Sequence, residues 1–429
     1  MNMYIAGLKT YFRLMGNLKK PLDELRERQW QVFCDLVRFA YEHVPLYRDL
    51  YNHAGFLPES LKNPSDITRV PSTSKEMFQQ AEPQQCIARG NQLERLVSKR
   101  TSGSSGFPLI VYFTPEDRIY RTILHLRILF ANGMGFRDRM VQICDKRHVP
   151  DFRYKFQKFG FLPKDFIYCA DRAEHLADAL TAMNPAVIYS YTSSLVLIAH
   201  EVKKRGTCPI QPKLIFTTGE LMNPCDREDI EQAFSVPPHD IYGIVEMGDV
   251  AWQCSELNGY HVNIDSCLAE VLVNGRPAEA GESGRLVITN LHSRAMPFIR
   301  YEVGDVMTVP HDAPCSCGCN FPRINIIQGR QDDWLHALDG RRISPLDITI
   351  ARVAGVQQYR IIQKSYDYLI IEVVPGLNFG TETVQGVEQH LREIVGTGVH
   401  VEVRKVDEIP RRSGKIRSVF CEIKQPIHE

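Results

Sequence analysis

Between residues 24 and 43 the apolar side chains Leu25, Trp30, Phe33, Leu36, Val37 and Ala40 recur at helical spacing among charged residues. That period predicts an amphipathic helix, with Pro45 expected to stop it. Over 47–74 the pattern lapses into Pro, Asn, Asp and Ser and closes on Val70-Pro-Ser-Thr-Ser-Lys75, which reads as a loop. Short apolar runs then alternate with helical ones. Strands are expected at 109–114, 140–144, 186–191 and 213–216, and helices at 115–132, around 173–183 and beyond Ser194. Such alternation implies parallel strands covered by helices. Asn223 before Pro224, with Asp226, Glu228 and Asp229 following, is a capped helix start, and Ala233 and Phe234 fall near that helix's end.

Beyond residue 250 the texture changes. Runs at 267–273, 284–290 and 305–309 read as strands joined by Gly/Pro turns, the mark of a smaller β-rich module over about 250–328. After Gly329-Arg330 comes a distinct tail, with runs at 358–363 and 368–374, a helix at 383–395 and a run at 400–406 that make a β-β-α-β unit. The fold class expected is α/β and multi-domain: a large N-terminal α/β domain over 1–330 carrying the β-rich submodule, then a small α+β domain over 331–429. A chain of 429 residues exceeds one compact core, in keeping with that division.

Charge and composition narrow the functional classes. Lys and Arg together number 51, as do Asp and Glu, so no long-range field favours nucleic acid or an anionic membrane, and neither is expected as a partner. The first ten residues lack a signal-peptide core, and no later stretch supplies the roughly 18 uninterrupted apolar residues of a membrane span. A soluble, cytoplasmic protein is expected. Its twelve cysteines are then thiols or metal ligands rather than disulfides. Cys34, Cys86, Cys144, Cys169 and Cys208 sit in or beside apolar runs, where a thiol behaves as a small hydrophobe.

Two constellations carry candidate chemistry. The first is Thr101-Ser102-Gly103-Ser104-Ser105-Gly106, leading through Phe107 and Pro108 into an apolar run. Its backbone N–H groups and hydroxyls can wrap phosphate oxygens, although Ser/Gly clusters also form ordinary turns. It is not a kinase-type phosphate loop, which needs a Lys before its last Ser or Thr and opens a helix. The second is Cys254, His261 and Cys315-Ser-Cys317-Gly-Cys319. Three thiolates and an imidazole make a closed, structural zinc set, yet Cys-x-Cys is tighter than the usual spacing, so zinc and free thiols both stay open.

Downstream of the loop stand Thr217-Thr-Gly-Glu220, Tyr242-Gly-Ile-Val-Glu246, Arg300-Tyr-Glu-Val-Gly-Asp305, Gly329-Arg-Gln-Asp-Asp333 and Pro410-Arg-Arg-Ser-Gly-Lys415. In this order the series resembles the motifs of the adenylate-forming ligases, most closely the phenylacetate-CoA ligase branch, over about residues 65–420. The resemblance implies the fold of that superfamily, with 331–429 as a mobile lid hinged at Asp332. It implies that residues 101–106 hold the β- and γ-phosphates of ATP, that Thr218, Gly219 and Glu220 line the adenine, and that Tyr242, followed by Gly243, stacks on it. Glu246 would hold Mg²⁺, Asp305 the ribose hydroxyls, and Arg330 the ribose or a phosphate, while Lys415 would bring its ammonium to the α-phosphate and the attacking carboxylate. One departure is plain: where the family has Thr or Ser before the glutamate, this chain has Val245, one hydroxyl fewer. Some members of the branch carry a similar Cys/His site, which Cys254, His261, Cys315 and Cys317 match, leaving Cys319 spare.

The acyl pocket is less legible. Tyr189, Tyr191, Thr192 and Ser193 fall where relatives place an acyl-lining loop, with Gly243 and Met247 on another wall. Their aromatic content suits an aromatic acid. The activity implied is ATP- and Mg²⁺-dependent activation of a carboxylic acid as acyl-AMP, with pyrophosphate released and the acyl group passed to coenzyme A. An amine acceptor is the near alternative, and a non-catalytic nucleotide-binding relative the distant one. A homodimer stays open.

Overall fold

The computed structural model describes residues 2–101, 108–150, 155–310, 314–325, 327–330, 333–411 and 414–423. The expected ATP-loop residues Ser102, Gly103, Ser104, Ser105 and Gly106, and the expected hinge Asp332, lie outside the described residues, as does the side chain of Arg330. The chain divides into two compact units, one of residues 1–134 and 241–327, the other of 135–240 and 328–429.

In the first unit the helix Leu22–His43 buries Leu25, Phe33, Leu36, Val37 and Ala40, the stripe that the period marked. That helix ends at His43, just before Pro45, as expected. A second helix, Pro45–His53, starts on it, and short 3₁₀ turns follow at Pro58–Ser60 and Pro64–Arg69 inside what the composition marks as loop. The reason is positional: proline at the first helical position loses no hydrogen bond, and Val44 is already extended before it. Tyr47 and Tyr51, one turn apart, are completely buried, so packing holds a segment that propensity alone does not mark. An N-terminal helix, Asn2–Asn17, was also not expected from the pattern. The strands Cys267–Val273, Ser283–Asn290 and Tyr301–Thr308 form an antiparallel ladder, the third starting four residues before the expected run.

The second unit holds the parallel strands, in the order Lys164–Tyr168, Met140–Cys144, Val187–Tyr191, Leu214–Thr218. Helices Ala173–Met183, Thr192–Arg205 and Pro224–Phe234 accompany them, the last capped as expected by Asn223, whose side chain accepts from the Asp226 amide at 2.8 Å. The tail builds a four-stranded sheet from His400–Lys405, Tyr368–Pro375, Val356–Ser365 and Val419–Cys421, with helix Thr381–Val395. It has a core of its own, in which Leu335, Ile361, Leu369, Val387, Leu391 and Val395 are fully buried. Among the described residues no helix is long and apolar enough to cross a membrane. All twelve cysteines are free.

Candidate active site and metal centre

In open α/β sheets ligands gather at the carboxyl ends of the parallel strands. In the second unit the strand Val187–Tyr191 runs directly into the helix Thr192–Arg205, and the strand Leu214–Thr218 ends at Gly219, whose φ of +77° suits glycine. The Glu220 carboxylate accepts three hydrogen bonds: from the Ser193 amide at 2.7 Å, the Ser193 hydroxyl at 2.9 Å and the Ile416 amide at 2.6 Å. Ser193 lies in the first turn of its helix, so the carboxylate also meets the positive end of that dipole. Burial nevertheless raises the Glu220 carboxyl above its ordinary pKa, against those hydrogen bonds and the charge of Lys415.

Lys415 itself is half-buried beside this turn. Its ammonium lies 5.4 Å from the centroid of the Tyr191 ring, and burial lowers its pKa, with Glu220 opposing that shift. A Cβ at Gly219 would stand 2.7 Å from the Lys415 Nζ, and one at Gly414 would stand 2.5 Å from the Cys169 Sγ. Tyr191 shares a hydrogen bond with His148 Nδ1 at 3.0 Å. Arg411 donates to the Cys169 carbonyl. Thr192 has a buried hydroxyl without a hydrogen-bond partner among the described residues, the kind of group a ligand satisfies. Thr218, Gly219, Glu220, Tyr191, Thr192, Ser193 and Lys415 thus come together, with Tyr189 two residues back on the same strand face.

The first unit gathers another set. Thr101 closes the hairpin of Val97–Arg100 and Ile110–Phe113: its amide donates to the Leu109 carbonyl, and its hydroxyl oxygen accepts from the Leu109 amide, both at 2.9 Å. Tyr242 donates its phenolic proton to the Asp305 carboxylate. Tyr301 donates to Glu246 at 2.9 Å, and the Asn290 amide group holds the Glu246 carbonyl at 2.9 Å. Arg121 reaches the Val245 carbonyl at 2.6 Å, and burial lowers its pKa against the nearby charges of Asp249, Glu246 and Asp117. Gly243 faces the Gly248 carbonyl so closely that a Cβ would lie 2.9 Å from it, while Met247 is only 2% exposed and packs in the core. Of the expected acyl-pocket residues, Gly243 and Met247 belong to this unit and the other four to the second.

The same unit brings Cys254, His261, Cys315 and Cys317 together, with one ligand atom from each within 4.8 Å of all the others. The Cys254 and Cys315 sulfurs are 3.6 Å apart, and the Cys317 sulfur is 3.3 Å from His261 Nε2. Metal–ligand bonds of about 2.3 Å to sulfur and about 2.0 Å to nitrogen, at tetrahedral angles, separate such pairs by about 3.8 and 3.5 Å. The donor set fits zinc. His261 Nδ1 bonds the Phe321 carbonyl at 3.0 Å, which leaves Nε2 turned to the thiols, and the Cys319 amide donates to the Cys317 sulfur at 3.4 Å. Cys319 is itself outside the set.

Sequence reading missed Arg121, Tyr301, His148, Arg411 and the pairing of Ser193 with Glu220. Tyr301 lies inside a motif already marked. A single arginine on an amphipathic helix, or a histidine in a polar turn, gives no pattern from which a partner far along the chain can be named.

Comparison with known proteins agrees with these observations. A family model described as the CapK C-terminal domain matches residues 336–422. The phenylacetate-coenzyme A ligase of Thermus thermophilus is 27% identical over 378 residues, 80% of this chain and 79% of that protein. That of Escherichia coli is 24% identical over 93% of this chain and 95% of its own length, and Protein CapK of Staphylococcus aureus is 20% identical over 95% and 91%. Among solved structures, a 2-hydroxyisobutyryl-CoA ligase in its postadenylation state with a bound acyl-AMP superposes with a TM-score of 0.79 at 22% identity, over 95% of this chain and 91% of that one. The fold is that of the adenylate-forming ligases. In sequence the chain is similar to the phenylacetate-CoA ligases at 24–28% identity.

Proposed function

We propose that the protein is an ATP-dependent acid–CoA ligase that activates a carboxylic acid, aromatic in our reading, as acyl-AMP and then passes the acyl group to coenzyme A. The observation that carries this reading is the approach of Lys415 to Gly219 and Glu220 at the carboxyl ends of the parallel strands. Joining a carboxylate to the α-phosphate opposes two anions, so a cation held at fixed geometry is what the step requires. In this reading Lys415 stabilises the charge that develops there, and Thr218, Gly219 and Glu220 face the adenine. Tyr242 stacks on the base, and Asp305 accepts from the ribose hydroxyls, its carboxylate oriented by the Tyr242 phenol. Residues 101–106 close on the terminal phosphates, with Arg330 an additional cation.

Glu246, steadied by Tyr301, is the carboxylate that would hold Mg²⁺, which when bound neutralises phosphate charge. Zinc at Cys254, His261, Cys315 and Cys317 would staple the β-rich module, since a closed four-ligand set leaves no open position for catalysis. The unpartnered hydroxyl of Thr192 supports an acyl pocket beside Tyr189, Tyr191 and Ser193. Residues from 331 on act as a lid turning at Asp332 between the half-reactions, in the cytoplasm where ATP and coenzyme A are available.

The test is exchange of labelled pyrophosphate into ATP, driven by a panel of aromatic and aliphatic acids, followed by mass spectrometry of products with CoA and with amines. An acid-dependent exchange and a CoA thioester are expected. An amide without thioester would replace the acceptor, and no exchange with any acid would refute the reading.

A further inference from the structure

We infer that Glu220 is a positioning residue whose carboxylate docks the Lys415 loop, joining the helix start at Ser193 to the backbone of Ile416. The inference rests on the proposed adenylation reading and assigns this side chain a task different from lining the adenine. Three donors already converge on the carboxylate, and two of them come from one helix terminus while the third comes from the residue after Lys415. A single side chain thus ties the strand-end turn, the helix and the lysine loop together. Hydrogen bonds to an ionised acceptor are the strong class, and a bond to a backbone amide fixes the chain rather than one flexible side chain.

The surroundings are shaped for the same purpose. Gly219 leaves room for the lysine ammonium, which a Cβ would meet at 2.7 Å. Gly414 lets the loop pass so near Cys169 and Tyr191 that a Cβ would come within 2.5 Å of the sulfur and 3.2 Å of the ring. Arg411 anchors the other side of the loop on the Cys169 carbonyl. The Tyr191 ring, held through its hydroxyl by His148, gives the ammonium an aromatic face at 5.4 Å. The Glu220 bond to Ile416 is a hydrogen bond immediately beside the lysine along the chain.

The experiment compares the wild-type protein with Glu220→Ala, Glu220→Gln and Ser193→Ala in two assays: acid-dependent pyrophosphate exchange, and thioester formation from a supplied acyl-AMP. Losing a charge-assisted hydrogen bond from the dock lowers the ratio of exchange to thioester formation by roughly tenfold to a hundredfold in Glu220→Ala. Glu220→Gln, which keeps one acceptor oxygen for Ile416, recovers part of it, and Ser193→Ala falls between. Amide hydrogen exchange of residues 414–417 should quicken in Glu220→Ala. If exchange and thioester formation fall together in all three variants, or if the 414–417 amides stay as protected in Glu220→Ala as in the wild type, the docking role is wrong. Absence of exchange in the wild-type protein would instead refute the adenylation reading itself.

Discussion

Replacing Gly219 by alanine separates the fold from the reaction. The new Cβ would lie 2.7 Å from Nζ and 2.9 Å from Cε of Lys415, and 3.3 Å from the Tyr191 ring. Carbon contacts are favourable only from about 3.5 Å, so the ammonium must retreat by about 1 Å. That retreat is cheap for stability, because the end of a lysine swings freely. The remaining cost is the backbone, since a φ of +77° disfavours alanine by about 1–2 kcal/mol. A fall in Tm of no more than a few degrees is expected. Function should suffer far more, because a misplacement of about 1 Å in a charge-stabilising group can reduce the rate about 100-fold. The assay is acid-dependent pyrophosphate exchange beside a thermal melt. Gly206→Ala is the control: its φ is +71° and nothing lies within 4 Å, so it carries the backbone strain without touching the lysine. A folded Gly219→Ala protein whose exchange rate stays within about threefold of the wild type would refute the argument that this glycine makes room for the cation.

Further outcomes follow from the same geometry. Lys415→Ala should lower pyrophosphate exchange by about 100- to 1,000-fold, as loss of a charge-stabilising group does, with thioester formation from supplied acyl-AMP falling much less. Because burial lowers the Lys415 pKa, exchange should decline with rising pH earlier than an ordinary lysine near 10.5 would give, and a pH–rate profile of the variant should lack that limb. The protein as purified should contain about one zinc per chain by elemental analysis, and Cys317→Ser or a strong chelator should remove it and lower the Tm. His292 is half-buried, stacked on Tyr120, and its pKa falls to about 3, chiefly through desolvation and then the charge of Arg121. The unfolded chain takes a proton there from about pH 6.5 downwards while the folded one does not. Stability is therefore fully present above about pH 6.5 and is lost as pH falls towards 3, by on the order of 3 kcal/mol at pH 4. Denaturant melts of His292→Phe should show a shallower acid limb.

Much of the fold was legible because its elements announce themselves locally. The helix Ala173–Met183, the strand Met140–Cys144 and the capped start at Asn223 need only period and capping chemistry, and the structure has each within a residue or two of expectation. Pro238–Ile244 was not read as a strand, since proline and glycine dilute its apolar signal and neighbouring strands stabilise it. The helix Pro45–His53 was missed for the related reason that its stability comes from two buried tyrosines.

The candidate site divides along the same line. Cys254, His261, Cys315 and Cys317 could be grouped in advance because they are ligand types that the resemblance places in one site, with Cys319 left spare, and the four do converge. Lys415, Glu220 and Tyr191 could each be marked by a motif, but no motif states which atom a carboxylate faces. Glu220 bonds to Ser193, 27 positions earlier, and to Ile416, 196 positions later. Those partners are a backbone amide with its own hydroxyl, and a second backbone amide. Every residue but proline carries such an amide, so the identity of Ile416 says nothing about the bond. What selects it is the path of the chain through Gly414, and that path depends on packing against Cys169 and Tyr191. Side-chain chemistry therefore tells which groups can react or bind, while the hydrogen bonds that would aim the reacting lysine run through the backbone and become visible only once the chain is folded.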